Sequence, residues 1–180
     1  MPKGWTFSRL GAVVDLVGGV SYDKTDVANN GIRILRGGNI QEGKILYADD
    51  DVFLPQKYYD NEKVVRETDA VIVASTGSKV VIGKAGFLSE KNDSPQIGAF
   101  LRIVRPKIAD LSGYLKMLFI SEYYREYIRE IAKGTNINNI KSEHITEFCV
   151  PIPPLAEQQR IVAAIRAQFE LLDEITTTLN

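Results

Sequence analysis

The chain has 180 residues, of which 44% are apolar and 25% are charged, and its formal net charge is −1. A body of about 150 residues with this composition can bury roughly 68–70% of its unfolded surface in one core. The near-neutral charge excludes a protein that holds nucleic acid by bulk positive charge alone, so any such binding must be local. No apolar run approaches the ~20 residues that cross a bilayer, which predicts no membrane segment.

The rare residue types exclude further classes. One cysteine, Cys149, excludes an internal disulfide, and with one histidine, His144, it cannot form a zinc site of the usual ligand set. The consecutive carboxylates of Asp49, Asp50 and Asp51 point in different directions and predict a solvated turn, not a cation site. We therefore predict no metal and no cofactor. The first residues lack an apolar stretch of signal-peptide length, which predicts a cytoplasmic protein.

The first hundred residues predict an irregular β-rich domain. Short segments rich in β-branched residues alternate with glycine, asparagine, aspartate and proline, a pattern typical of strands joined by turns. The clearest predicted strands are residues 31–35, 44–48, 51–54, 70–75 and 99–106.

Helical patterns follow this domain. From Asp110 to about Lys133, apolar residues recur every three or four positions, which predicts one helix packed on the sheet and ended by Gly134. The asparagine-rich residues 134–148 predict turns and then a short helical turn capped by Ser142.

A proline junction separates the body from the last segment. Pro151, Pro153 and Pro154 fix φ and push their predecessors away from helical angles, which predicts an extended path. Pro154 is tolerated at a helix start, and Glu157 lies near the positive end of the helix dipole. We therefore divide the chain into a domain at 1–150 and a junction with one long helix at 151–180.

The last helix carries an apolar seam with alternating steps of three and four residues. Such a heptad period indicates a coiled-coil partner helix, although an amphipathic helix folded back on its own domain would share part of the pattern. The predicted seam residues are Leu155, Val162, Ile165, Phe169, Leu172 and Leu179, with Gln158 and Thr176 as polar members. About 26 helical residues span roughly 39 Å.

Several motifs together resemble those of the specificity subunits of type I restriction-modification systems. The most specific is the junction PIPPLAEQ at 151–158, and GTNINNIKSEHI at 134–145 precedes it. Farther upstream, TDAVIVASTGSKVVIGKAGF at 68–87 and Trp5 with LGAVVDLVGGVSY at 10–22 are also similar to segments of that family. The departures are small: Thr68 stands where glycine is frequent, and Ile152 stands where leucine is frequent.

The resemblance implies an α+β protein: an irregular β-rich target recognition domain with packed helices, then one long helix forming an antiparallel coiled coil. Such a subunit carries two recognition domains separated by antiparallel helices and reads double-stranded DNA in two parts. It recruits methyltransferase subunits and, through them, restriction subunits. This sequence resembles half of that plan, either a half-subunit that forms a homodimer or a fragment.

Three loops with hydrogen-bond donors beside glycines are the predicted DNA contacts. Arginine and asparagine can pair bidentately with guanine and adenine, whereas lysine, serine and threonine more often hold phosphates. The predicted contact residues are Arg33, Arg36, Asn39, Thr76, Ser78, Lys79, Lys84, Lys133, Thr135 and Asn136.

Two other classes compete with a DNA reader. An enzyme is disfavoured because five residues, not four, separate Gly77 from Gly83, and Ala85 lacks the hydroxyl of a P-loop. A scaffold whose helix is its whole function remains an alternative. Residues 76–107, with six Lys or Arg against two acidic residues, would lie on the face of Arg36 in a reader and would be dispersed in a scaffold.

Overall fold

A computed structural model describes residues 2–78, 80–89, 94–133 and 139–179, with the side chains of Lys133 and Leu179 left out, and gives a mixed α+β fold. Its strands are β1 (Thr6–Arg9), β2 (Val14–Gly18), β3 (Ile32–Leu35), β4 (Ile40–Gln41), β5 (Lys44–Ile45), β6 (Val52–Leu54), β7 (Ala70–Val73), β8 (Ala85–Gly86), β9 (Gln96–Ile97), β10 (Leu101–Pro106) and β11 (Cys149–Ile152). Its α-helices are α1 (Leu10–Val13), α2 (Ser112–Phe119), α3 (Glu122–Lys133), α4 (Ser142–Thr146) and α5 (Leu155–Leu179).

The central antiparallel sheet has the strand order β2-β10-β7-β8. Every residue of β7 is buried, because both faces of the sheet are covered. Ala70 and Ile72 belong to the cluster packed under the helices, whereas Val71 and Val73 belong to a second cluster on the other face. The alternation of side chains along a strand therefore explains why β7 reads as a continuous apolar run.

Two smaller sheets flank the central sheet. β3 pairs antiparallel with β6 and parallel with β9, and this sheet covers its own apolar cluster around Ile34 and Leu54. β4 and β5 form a short hairpin at Ile40–Ile45, where Gly43 adopts a positive φ of 78° that a turn demands. The predicted strands at 31–35, 51–54, 70–75 and 99–106 are confirmed with small shifts, whereas the one predicted at 44–48 is reduced to two residues.

The helix predicted over 110–133 is two helices. α2 ends at Phe119, and the hydroxyl of Ser121 accepts the amide of Tyr124 at 3.4 Å at the start of α3. Serine before Glu122 is a helix-start signal, and the break lets Phe119 and Tyr124 pack edge to face at 5.1 Å. The apolar spacing continues across the break, so periodicity alone predicted a single helix. Gly134 lies outside the described residues.

The short predicted helical turn is α4, but Ser142 is its first residue and Lys141 occupies the cap position. The prediction that Ser142 caps this turn was therefore wrong by one position.

The predicted extended path at the prolines is confirmed, and it is part of the body. β11 pairs antiparallel with β1, with Pro151 opposite Phe7 and Val150 opposite Ser8. Each strand of a two-stranded ribbon has one unpaired edge. A proline whose nitrogen faces that edge removes no hydrogen bond from the ladder. Gly4 lies against Pro154, because a Cβ on that glycine would stand 3.0 Å from Pro154 Cγ. The strand that carries the junction is thus anchored to the first strand.

The helix α5 divides into two parts. Near its start, Gln158 is buried and Val162 packs on α2, where a Cβ on Gly113 would stand 3.6 Å from Val162 Cγ2. Farther along, Phe169 and Leu172 on the same stripe are exposed. Gln158 and Val162 of the predicted seam are therefore folded back on their own domain, whereas Leu155 before them and Phe169 and Leu172 after them are exposed.

Candidate nucleic-acid interface

Two segments with predicted DNA-contact residues converge at the carboxyl end of β7, and residues 139–140, which follow the third predicted loop, reach the same end. The Ile140 amide donates to the Ala74 carbonyl at 2.7 Å, and the Val73 amide donates to the Lys84 carbonyl at 3.0 Å. A Cβ on Gly37 would stand 3.9 Å from Val73 Cγ1. We call the residues gathered here the loop cluster: 35–39, 74–78, 83–84, 98–101 and 139–140.

Asn39 holds the first of these loops from within. The Asn39 side chain is buried; its Oδ1 accepts the Arg36 amide at 2.8 Å, and its amide group donates to the Leu46 carbonyl at 3.0 Å and to Asp51 Oδ1 at 2.6 Å. These bonds use both ends of the side-chain amide. Asn39 therefore fixes the backbone beneath Arg36 and is not presented to solvent.

Asp51 corrects the expectation of a solvated turn. Its side chain is buried and bonds Arg33 as well as Asn39, whereas Asp49 and Asp50 are exposed. Burial alone would raise the pKa of Asp51, but the donors Asn39, the Ala48 amide and Arg33 hold that pKa below its ordinary value. The carboxylate is a fixed negative partner inside the fold.

The two arginines of this loop differ in their accessibility. Arg33 is paired with buried Asp51, and its guanidinium carbon lies 4.1 Å from the centroid of the Tyr47 ring. Arg36 reaches the Asp50 carboxylate at 2.8 Å with its side chain 41% exposed and that of Asp50 80% exposed. Arg36 is thus the arginine of the pair that can turn toward DNA.

The second loop presents small polar groups. The Thr76 hydroxyl accepts the Ser78 amide at 3.3 Å, which gives the loop a hydroxyl-closed turn. Thr76, Ser78 and Lys84 are each partly exposed. Of the other predicted contacts, Lys79, Thr135 and Asn136 lie outside the described residues, as does the side chain of Lys133.

The basic stretch is divided between two places. Arg102 lies beside the loop cluster, with its guanidinium donating to the Ala99 carbonyl at 2.8 Å, and Lys84 lies at the end of β7. Arg105 is buried against Asp69, and Lys107 lies near Asp15 in β2. Of the described cations in residues 76–107, Lys84 and Arg102 therefore lie at the loop cluster, and Arg105 and Lys107 lie away from it.

Sequence reasoning missed Phe100. The predicted strand at 99–106 included it, but β10 begins at Leu101, and Phe100 lies in a turn closed by the Leu101 amide on the Gly98 carbonyl at 2.9 Å. Phe100 borders a cleft of about 450 Å³ that is also lined by Tyr22, Lys24 and Arg36. The available signal was an aromatic residue directly after a glycine-containing turn.

The described residues contain no group of three or more His, Cys, Asp or Glu side chains placed to hold a metal ion. Across the same ranges, each helix is either too short or too polar to cross a lipid bilayer.

The chain thus has an α+β body whose loops gather at one end of the central sheet, and a last helix with an apolar stripe that is exposed beyond Val162. Residues 2–180 match the type I restriction modification DNA specificity domain, and the chain belongs to that family.

Similar proteins are specificity subunits. The chain is 33% identical over 189 residues to the type I restriction enzyme EcoKI specificity subunit of Escherichia coli K12, covering 97% of this chain and 40% of that protein. It is 32% identical to the StySPI specificity subunit of Salmonella potsdam, covering 100% of this chain and 39% of that protein. The chain thus spans about two fifths of the length of these relatives.

Solved structures share the fold. A chain from a type I R-M system matches with a TM-score of 0.74 at 22% identity, over 99% of this chain and 41% of that chain. The HsdS subunit from Thermoanaerobacter tengcongensis matches with a TM-score of 0.69 at 23% identity, over 99% of this chain and 40% of that chain.

Proposed function

We propose that this chain is a sequence-specific DNA recognition module of a type I restriction-modification complex and reads one part of a bipartite target without catalysing a reaction. Residues 1–150 are the target recognition domain, and residues 151–180 are the proline junction and helical spacer. The observation that carries the proposal is the convergence of separate donor-bearing loops at one end of the central sheet.

Within this proposal the predicted contact residues have different roles. Arg36 reads a base edge, because it is exposed and stands on a backbone fixed by Asn39. Thr76, Ser78, Lys79 and Lys84 of the second predicted loop, and Lys133, Thr135 and Asn136 of the third, contact phosphates or bases. Arg33 and Asn39 hold the loop from within, as their internal bonds indicate.

The exposed part of α5 pairs antiparallel with a second helix of the same kind. Phe169 and Leu172 continue the stripe that Val162 begins, but Val162 is covered by α2. Pairing therefore starts near Ile165. Two copies related by a two-fold axis would read half-sites in inverted orientation, whereas two different domains in one subunit would read an asymmetric target.

The partners are methyltransferase subunits and, through them, restriction subunits, in the cytoplasm. If this domain neutralises only three or four phosphates, the salt slope is about −3, and binding by the chain alone is weak at physiological salt. Tight and specific binding then requires the assembled complex.

The experiment is methylation mapping of DNA treated with the complex reconstituted from this chain and its methyltransferase subunits. A two-part target, with its symmetry visible in the modified positions, supports the proposal. Methylation without sequence preference, in a complex that still assembles through α5, contradicts it and favours the scaffold alternative.

A further inference from the structure

Phe100 lies where the proposed DNA-contacting loops meet. The Ala74 and Ser75 amides both donate to the Phe100 carbonyl, at 2.9 Å and 3.0 Å, and the Gly98 amide donates to the Leu35 carbonyl at 2.9 Å. The turn that carries Phe100 is therefore tied to the end of β7 on one side and to the end of β3 on the other.

The ring of Phe100 projects into solvent from this fixed turn. Phe100 is 68% exposed, although an apolar cleft of about 450 Å³ lies beside it. Burial of a phenylalanine ring is among the larger single contributions to stability, so an exposed ring on a rigid turn forgoes that contribution. Binding residues concentrate on loops that a rigid scaffold positions, and the turn of Phe100 is such a loop because both of its neighbours are strand ends.

The charges around the ring suit a nucleic acid. Arg36 and Lys24 line the same cleft, and the Arg102 guanidinium lies beside the Ala99 carbonyl of the turn. Cations at the edge of an apolar surface can hold phosphates while the apolar centre meets a base edge. In the major groove the apolar group offered by a base pair is the C5-methyl of thymine, which side chains such as phenylalanine contact.

We infer that Phe100 is a specificity-determining residue that contacts the C5-methyl group of a thymine in the major groove. The inference rests on the proposed function and adds a residue and a chemical group to it. Arg36, beside the same cleft, then reads a neighbouring base pair, so one face of the loop cluster combines an apolar and a polar contact.

The test uses the assembled complex and oligonucleotides in which each thymine of the mapped half-site is replaced by deoxyuridine, which removes only the methyl group. One such replacement should weaken binding by the unaltered complex about fourfold, the effect of one buried methyl-sized group. With Phe100→Ala the thymine-to-deoxyuridine ratio at that position should fall to about 1. Phe100→Leu, which keeps an apolar side chain, should retain most of the ratio.

Phe7→Ala is the matched control, because Phe7 is also an exposed phenylalanine, at 55%, but lies in β1 outside the loop cluster. It should leave the ratio at about fourfold, and unfolding curves of all variants should coincide. An unchanged ratio in Phe100→Ala, equal losses on thymine and deoxyuridine DNA, or a half-site without thymine each overturns the inference. A complex that selects no sequence at all instead overturns the proposed function.

Discussion

Two arginine–aspartate pairs in this molecule have the same chemistry and opposite surroundings. Arg105 bonds Asp69 through two nitrogens, at 3.1 Å and 2.9 Å, and also donates to the carbonyls of Glu62 and Val64; the side chains of the pair are 9% and 0% exposed. Arg36 reaches Asp50 at the rim of the loop cluster, where the exposed fractions are 41% and 80%.

The contrast separates structural charge from available charge. Removing one partner of a buried ion pair strongly destabilises the fold, because the remaining charge is buried without water to solvate it. An exposed pair is worth little to the fold and can exchange its partner for a phosphate or a base. Two arginines that each pair with an aspartate can therefore have different roles, and the burial of the pair decides which role each has.

The largest effect is expected for Asp69→Ala, which tests whether the buried pair stabilises the fold. It removes the buried carboxylate from Arg105, which keeps only its ion pair at 3.5 Å with the exposed Glu62 among the described residues, and we expect the free energy of unfolding to fall by about 3–5 kcal/mol. Asp50→Ala is the control and should leave the unfolding midpoint unchanged. Urea unfolding of the purified chain measures both, and equal midpoints for the two variants would refute the assignment of roles.

The same contrast between covered and open surface exists along α5. Phe169→Asp places a charge in the open part of the stripe, and we expect it to abolish pairing, since an unpaired buried charge costs several kcal/mol. Leu171→Asp is the control, because Leu171 is equally exposed but off the stripe. Sedimentation of both variants reports the association state. A dimer that survives Phe169→Asp would show that α5 is not the pairing surface.

Arg36→Ala tests whether the arginine of the exposed pair contacts DNA. In the assembled complex we expect a loss of about 1–3 kcal/mol and relaxed selectivity at one base pair if Arg36 reads a base. Arg129→Ala, which removes an exposed arginine paired with Glu122 on α3, should change nothing. Competition binding with single-base variants of the target gives the answer, and a uniform loss on all sequences would assign Arg36 to phosphate.

The smallest expected effect is the pH dependence of the stability that Asp51 contributes. The folded pKa of Asp51 lies below that of an unfolded aspartate, about 3.9, so its stabilising contribution is full above that pH and is lost as pH falls through the lower folded value. Asp51→Asn should therefore lower the melting temperature at pH 6, and the difference from the unaltered chain should shrink toward pH 3. Asp49→Asn, in the exposed neighbour, should track the unaltered chain at both values.

The sequence predicted those secondary-structure elements whose backbone geometry depends on neighbouring residues. The β-branched run of β7 and the prolines before α5 determine their own backbone geometry, so their positions followed from the sequence. The strand β1 escaped prediction because its partner β11 lies some 140 residues away, and pairing at that separation leaves no local signal.

The sequence predicted which loops form the candidate site, but it did not predict which of their side chains are buried and which are exposed. The glycine-flanked donors of residues 33–39 and 75–84 predicted two loops, which the structure brings together at one end of the central sheet. Only the structure separates buried Asn39 from exposed Arg36, because burial depends on which distant segment packs over each side chain. Phe100 was hidden for the same reason, since an apolar residue before a strand normally predicts core.

The pairing of β1 with β11 brings the start and the finish of the body to one spot at the base of α5. The block between Arg9 and Cys149, which contains the loop cluster, therefore enters and leaves through one two-stranded ribbon, and its helix α2 also packs on Val162 of α5. A different block could be exchanged at this ribbon without reorienting α5 only if it kept the surface of α2 that packs on Val162.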